Sequence, residues 1–223
     1  ALPAFILSGA LMQGSGISRR LVAVAEVLAG RMSGGLAAST VLACLFFGAI
    51  SGSGPATTAA VGMLMIPAMA KKGYDRGYAS AVTASSGGLG IVIPPSIPMV
   101  IYGVTASESI TQLFIAGVFP GLLIASGIII LNYFISKKKG YKANEDEWSI
   151  KKTLITIKDG FWALMAPVVI LGGIYSGFFT PTEAAIVSIF YTLFVGIFIY
   201  KELKLPAIFK SLDSTTWLSG RVL

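Results

Sequence analysis

Two short runs carry residue types that could hold a solute or an ion. The first is Ser51-Gly52-Ser53-Gly54-Pro55, with Thr57 and Thr58 just after it. The second is Ser85-Ser86-Gly87-Gly88-Leu89-Gly90, followed by Pro94-Pro95-Ser96-Ile97-Pro98. Hydroxyls offer neutral oxygen ligands and donors, and glycines let the main chain approach a ligand closely. Prolines remove an amide donor and displace a carbonyl, so they open a helix. The carbonyls of Ser85, Gly88, Ile91 and Pro94 recur at a spacing of three and could line one side of a loosened turn. Uncharged oxygens of this kind suit Na⁺ or another hard cation. Ser51, Ser53, Ser85, Gly88, Ile91 and Pro94 are therefore the candidate cation ligands. Gly52, Ser53, Gly54, Thr57 and Ser96 are the candidate solute contacts. A helix ending at the first run would present carbonyls with partial negative charge. A helix beginning there would present free N–H groups with partial positive charge. One tip can thus face a cation and an anion together, as broken helices do in secondary transporters.

The elements that would carry these runs are short. Apolar-leaning stretches at 35–50 and 56–70 flank the first run. At about 1.5 Å rise per residue each arm is near 24 Å, short of a hydrocarbon core of about 30 Å. Two short helices meeting at a Gly/Ser/Pro tip read as a re-entrant hairpin over 35–70. Irregular backbone at that depth survives only where protein or a water-filled cavity satisfies it. The second run interrupts the next apolar segment, 78–105, and makes it a broken helix. Further spans are expected at 112–135, 160–177 and 183–200. Residues 137–157 read as a charged loop, residues 17–33 as an amphipathic helix lying along the interface, and 201–223 as an amphipathic tail.

Composition agrees with a membrane setting. Hydrophobic residues make up 55% and charged residues 12% of the 223, against about 25% charged in soluble domains. All 17 Lys and Arg residues fall in 13–34, 71–77, 137–158 and 201–221, and none falls in the turns near 106–111 and 178–182. The basic loops therefore share one face, the cytoplasmic one. The stretch 35–70 lies between two of them, so it leaves and returns on one side. A hairpin does this, and two short complete spans would also do it. The net charge of +7 reflects this topology and not a nucleic-acid partner.

Several chemistries are excluded or weakened. The chain has no His and a single Cys, Cys44, which removes His-based triads, most metal sites and any disulfide within the chain. There is no G-x-S-x-G elbow and no phosphate-binding G-x-x-x-x-G-K-[ST] loop. Neither break contains an ionisable residue, whereas a proton relay ordinarily needs one, so Na⁺ coupling is favoured over H⁺. Glu183 after Thr180-Pro181 reads as a helix start. Lys137-Lys138-Lys139 reads as an anchor beside anionic lipid, and Trp148 and Trp162 as interfacial aromatics. Two other readings of the breaks stand beside a solute transporter. One is a non-transporting scaffold with kinked helices, and the other an ion channel with a re-entrant filter.

Four segments together resemble the large membrane subunit of the TRAP (tripartite ATP-independent periplasmic) transporters. They are LPAFILSGALMQGSGISRRLV, FFGAISGSGPATTAAVGMLMIPAMAKKGYDRGYASAVTASSG, IVIPPSIPMVIYGV and GGIYSGFFTPTEAA. The resemblance implies an all-α bundle of the bacterial inner membrane, in which this chain is the first of two inverted repeats. It implies Na⁺-driven import of organic-acid anions, including C4-dicarboxylates and sialic acid. The implied partners are a small membrane subunit, separate or fused, and a periplasmic binding protein that delivers the solute. An elevator mechanism follows from the family: 35–105 would slide as transport domain against scaffold helices in 106–200, braced by the arm in 1–34, with 201–223 leading toward a second repeat.

Overall fold

The computed structural model describes residues 2–141 and 149–222, and among them every regular element is helical. The expected interfacial residue Trp148 lies outside the described residues. Helices α1 (Leu2–Gly14) and α2 (Ile17–Ala29) lead into a helical hairpin, α3 (Gly35–Ser51) and α4 (Gly54–Lys71). Helix α3 is apolar all round and almost wholly buried, which marks a central helix. It touches α1, α2 and α4 and, further along the chain, the helices within 76–92, 110–139 and 161–175. At about 1.5 Å per residue the arms, of 17 and 18 residues, are roughly 26 Å long.

The second break divides its segment into α5 (Arg76–Gly87), α6 (Leu89–Val92) and α7 (Ile97–Ala106). The side chain of Asp75 starts α5 by accepting the Tyr78 N–H at 2.9 Å. Helix α8 (Ile110–Lys139) follows and ends in Lys137, Lys138 and Lys139. Its exposed side carries Ile115, Phe119, Leu123, Leu131 and Phe134, an apolar stripe of the kind lipid contacts. Its inner side carries Gly117 and Gly121, where a Cβ would run into the Val92 carbonyl and the Ile93 side chain. Small residues one turn apart thus let the broken segment lie directly on α8.

The expected loop at 137–157 is partly helical. Helix α9 (Ile150–Asp159) is amphipathic, with Ser149 accepting the Lys151 N–H at its start. It meets α10 (Phe161–Tyr175) at a 53° bend. Gly160 forms the bend, and the Tyr200 hydroxyl holds both sides of it, accepting from Ala163 N at 3.1 Å and donating to the Asp159 carbonyl at 3.0 Å. Helix α11 (Pro181–Phe194) begins with a capping box between Thr180 and Glu183 and runs into a π turn, Val195–Ile199. Helix α12 (Leu205–Val222) then packs along α1. Arg76–Ala106, Ile110–Lys139 and Pro181–Ile199 are long and apolar enough to cross a membrane, and the bent pair α9–α10 would make a fourth span. Neither hairpin arm meets that test.

Two clusters lock the basic face. Arg20 bonds Asp159 at 3.0 Å and Glu202 at 2.9 Å, and its guanidinium lies 3.6 Å from the centre of the Tyr200 ring. Burial alone would lower the Arg20 pKa, but the bonds and charges of Glu202 and Asp159 outweigh it and hold it above its usual value. Tyr74, Tyr78 and Tyr141 form the second cluster, with Tyr74 and Tyr141 stacked at 4.2 Å. Tyr78 donates to Asn132 of α8 at 2.7 Å, and the Tyr141 hydroxyl accepts the Asp75 N–H at 3.1 Å. Burial, then the neighbouring Tyr78, pushes the Tyr74 hydroxyl up to about 12.

Candidate functional site

The hairpin tip forms because α3 ends in a left-handed residue and α4 begins with a cap. Gly52 has φ 63°, a conformation that favours glycine, and a Cβ there would stand 2.7 Å from the Pro95 carbonyl. Ser53 is extended and accepts the Ala56 N–H at 3.4 Å, with proline in the first turn behind it. The second break repeats this device. Ser96 has nearly the same backbone angles, accepts the Met99 N–H at 3.4 Å and precedes Pro98. Two serine-capped helix N-termini, those of α4 and α7, therefore belong to the two breaks.

The breaks touch each other. The Gly52 carbonyl accepts the Ile97 N–H at 3.0 Å. A Cβ on Gly90 would lie 2.9 Å from the Ser53 carbonyl oxygen and would collide with Thr57 Oγ1. A Cβ on Gly54 would lie 3.4 Å from the Gly87 carbonyl oxygen. Residues far apart in the sequence thus share one polar centre, and it holds no titratable side chain.

Hydroxyl protons within the tip have assigned directions. Thr57 donates to the Ser53 carbonyl at 2.8 Å, so its single proton is used and Ser51 donates to Thr57 Oγ1 at 3.0 Å. Ser51, Thr57 and Ser96 are buried, while Ser53 is half-buried. Of the candidate solute contacts, Gly52, Ser53, Gly54 and Thr57 form the tip itself. Ser96 joins them through its neighbour Ile97.

The candidate cation ligands are less uniform. Ser51 and Pro94 are buried, Ser53 and Gly88 are half-buried, and Ser85 and Ile91 are exposed. The Ile91 carbonyl accepts the Ser96 hydroxyl at 2.7 Å, and the Gly88 carbonyl accepts the Ile91 N–H at 3.1 Å. Each of these oxygens keeps a second lone pair. The six residues share the two breaks, with Ser85 and Ile91 on an exposed flank and Ser51 and Pro94 inside. Among the described residues no group of three or more Cys, Asp or Glu is placed to hold a metal. A cation here would rest on neutral oxygens, which fits a hard monovalent ion better than a transition metal.

One side of the tip opens on a cavity of about 470 Å³. Ser51, Ser53 and Ala56 line it from the hairpin, Gln13 from α1, and Lys210, Ser211 and Ser214 from α12. The α12 residues were outside the expected site. Lys210, Ser211 and Ser214 share one face by helical spacing, but the sequence does not reveal what that face meets.

Short arms, a polar tip bonded to a broken helix and several apolar spans define a multi-pass α-helical membrane protein. Residues 1–223 match the DctM component of the tripartite ATP-independent periplasmic transporters, and the chain belongs to that family. It is 44% identical over 205 residues to the C4-dicarboxylate TRAP transporter large permease protein DctM of Pseudomonas aeruginosa, covering 92% of this chain and 48% of that one. It is 41% identical over 215 residues to the sialic acid TRAP transporter large permease protein SiaM of Vibrio cholerae, covering 96% of this chain and 50% of that one. The isethionate TRAP transporter permease protein DctMQ of Oleidesulfovibrio alaskensis is 43% identical over 223 residues, all of this chain and 35% of that one. The chain thus spans about half the length of the large permeases and about a third of DctMQ. As a member of the DctM family, one of permeases and not enzymes, it is a multi-pass protein of the bacterial inner membrane.

Proposed function

We propose that this chain forms the first half of a Na⁺-coupled importer of organic-acid anions. The observation that carries the reading is the contact between the breaks, with the Gly52 carbonyl bonded to the Ile97 N–H at 3.0 Å and Ser53 packed on Gly90. A scaffold has no use for serine-capped, glycine-rich tips meeting inside the protein. A channel filter would need the tip repeated around a pore. The relatives' printed names specify C4-dicarboxylates, sialic acid and isethionate. All are anionic acids, which suits the partial positive charge at the N-termini of α4 and α7. Na⁺ is the coupling ion, held by oxygens drawn from Ser51, Ser53, Ser85, Gly88, Ile91 and Pro94. Residues 35–105 are the moving part of an elevator and 106–200 its scaffold. A periplasmic binding protein delivers the acid, and the small membrane subunit is either separate or fused, as the relative named DctMQ suggests.

The test uses the complete transporter in proteoliposomes with its accessory proteins. Uptake of labelled succinate, isethionate and N-acetylneuraminate is followed with an inward Na⁺ gradient and with K⁺ in its place. We expect uptake of at least one acid with Na⁺ only, and its loss in Ser53→Ala and Gly88→Val with membrane insertion intact. Normal uptake by both variants would defeat the site assignment. Equal uptake with K⁺ would defeat the coupling.

A further inference from the structure

We propose that the cavity between α1, the hairpin tip and α12 is an anion-binding vestibule open toward the basic face, and that Lys210 holds the carboxylate or sulfonate of the transported acid there. The inference rests on the reading of the tip as the solute site. At about 470 Å³ the cavity has the size of a small-molecule pocket, which usually runs from roughly 300 to 1,000 Å³. Among the described residues, Lys210 is the one charged group lining it. Among the described residues no carboxylate lines the space with Lys210, and the nearest in sequence, Asp213, lies one turn along the same helix and outside the lining. The remaining polar lining is neutral: Gln13, Ser51, Ser53, Ser211 and Ser214. The start of α4 is also in the wall through Ser53 and Ala56, and its N-terminal end adds partial positive charge. The ammonium, the helix N-terminus and the Ser53 hydroxyl suit an anion, while Ser51, Ser211 and Ser214, whose protons go to Thr57 Oγ1 and to the Ala207 and Ser211 carbonyls, offer lone pairs to hydroxyls that the acid carries.

The cavity has a direction. Gln13 and Gly14 also line a second space of about 200 Å³, whose wall includes Arg19 and Glu202 on the basic face. Helix α12 is fixed across the opening by the bonds of Glu202 to Arg19 and Arg20, and by Leu203 and Ala207 against Gly14. At the inner end, Gly9 of α1 lets the Ser51 backbone approach within 3.3 Å of where a Cβ would stand. The two spaces are therefore neighbours, with Gln13 and Gly14 in both walls and Lys210 in the wall of the one beside the tip.

Binding of labelled succinate, isethionate and N-acetylneuraminate to the purified complete transporter tests this, using the acid that the wild type binds. Lys210→Met is expected to weaken binding about tenfold or more, the loss of one charge-assisted bond. Lys210→Arg should stay within about twofold, since the charge is kept. In inside-out vesicles, Ser214→Cys should react with an impermeant thiol reagent and be protected by the acid. Unchanged affinity in Lys210→Met, with uptake abolished in Ser53→Ala, would overturn the vestibule and leave the tip reading standing. Normal uptake in Ser53→Ala, or no binding of any of the three acids, would remove the reading beneath it. Anionic lipid could supply a headgroup to the same lysine. If the Lys210→Met effect disappears in vesicles made without anionic lipid, the site holds lipid and the proposal fails.

Discussion

Gly90→Ala tests the contact on which the site rests. The added Cβ would stand 2.9 Å from the Ser53 carbonyl oxygen and 3.1 Å from its carbon, and would overlap Thr57 Oγ1. Thr57 cannot simply rotate away, because its hydroxyl bonds the Ser53 carbonyl at 2.8 Å and takes the Ser51 proton at 3.0 Å. The obstacle on the other side is main chain. Relief therefore requires the tip and the broken helix to move apart, which also stretches the bond from Ile97 N–H to the Gly52 carbonyl. Overpacking of this kind costs about 1–3 kcal/mol. At about 1.4 kcal/mol per decade, the closed arrangement of the two breaks falls roughly 5- to 150-fold relative to a separated one. Uptake should drop in that range, and the purified transporter should melt a few degrees lower. Gly127→Ala is the control: nothing lies within 4 Å of its Cβ position on α8, so it should transport and melt like the wild type. Wild-type uptake and melting in Gly90→Ala would mean that the two breaks do not touch in the working protein.

Three further outcomes follow from the packing. Arg20→Gln removes bonds to Asp159 and Glu202 and should destabilise by about 1.5–3 kcal/mol, read as a lower melting temperature that Arg20→Lys restores only in part. Tyr141→Phe loses only the bond from Asp75 N–H and should cost about 0.5–1.5 kcal/mol, while Tyr141→Leu also loses the stack on Tyr74 and should cost about as much again in the same melts. Thr180→Ala breaks the capping box of α11 and should cost about 0.5–2 kcal/mol, with Thr180→Ser close to neutral.

What could be read from the sequence depended on whether the information was local. The hairpin and the broken helix were legible because glycine, serine and proline determine backbone geometry within a few residues. Gly52 adopts the left-handed turn and Ser53 and Ser96 cap helices as their types dictate. The grouping of Lys and Arg marked the segments between the apolar runs before any contact was known. The bend at Gly160 was missed because its cause is distant: Tyr200 holds it from 40 residues further along the chain, a separation visible only after folding. Helix α9 was hidden by its lysines, whose charge reads as loop although their spacing leaves an apolar stripe of Ile150, Leu154 and Ile155.

The largest omission was the cavity wall from α12. Lys210 looks like any basic residue of a cytoplasmic tail, and the positive-inside rule explains it without a ligand. Its place beside the tip follows from two long-range facts. Arg19 and Arg20 hold Glu202, which fixes where α12 begins. Gly14 and Gly196 then accept Leu203, which brings α12 against α1 so that Lys210 and Ser214 line the same cavity as Ser53. The arginines of the amphipathic helix therefore act beyond topology, since they orient the helix that carries the cation. This reasoning predicts that Arg19→Ala combined with Arg20→Gln, far from the tip, should weaken acid binding as Lys210→Met does, in proportion to how far α12 is freed. Unaltered binding in that double variant, with the melting temperature lowered, would show that the ion pairs stabilise the fold without positioning Lys210.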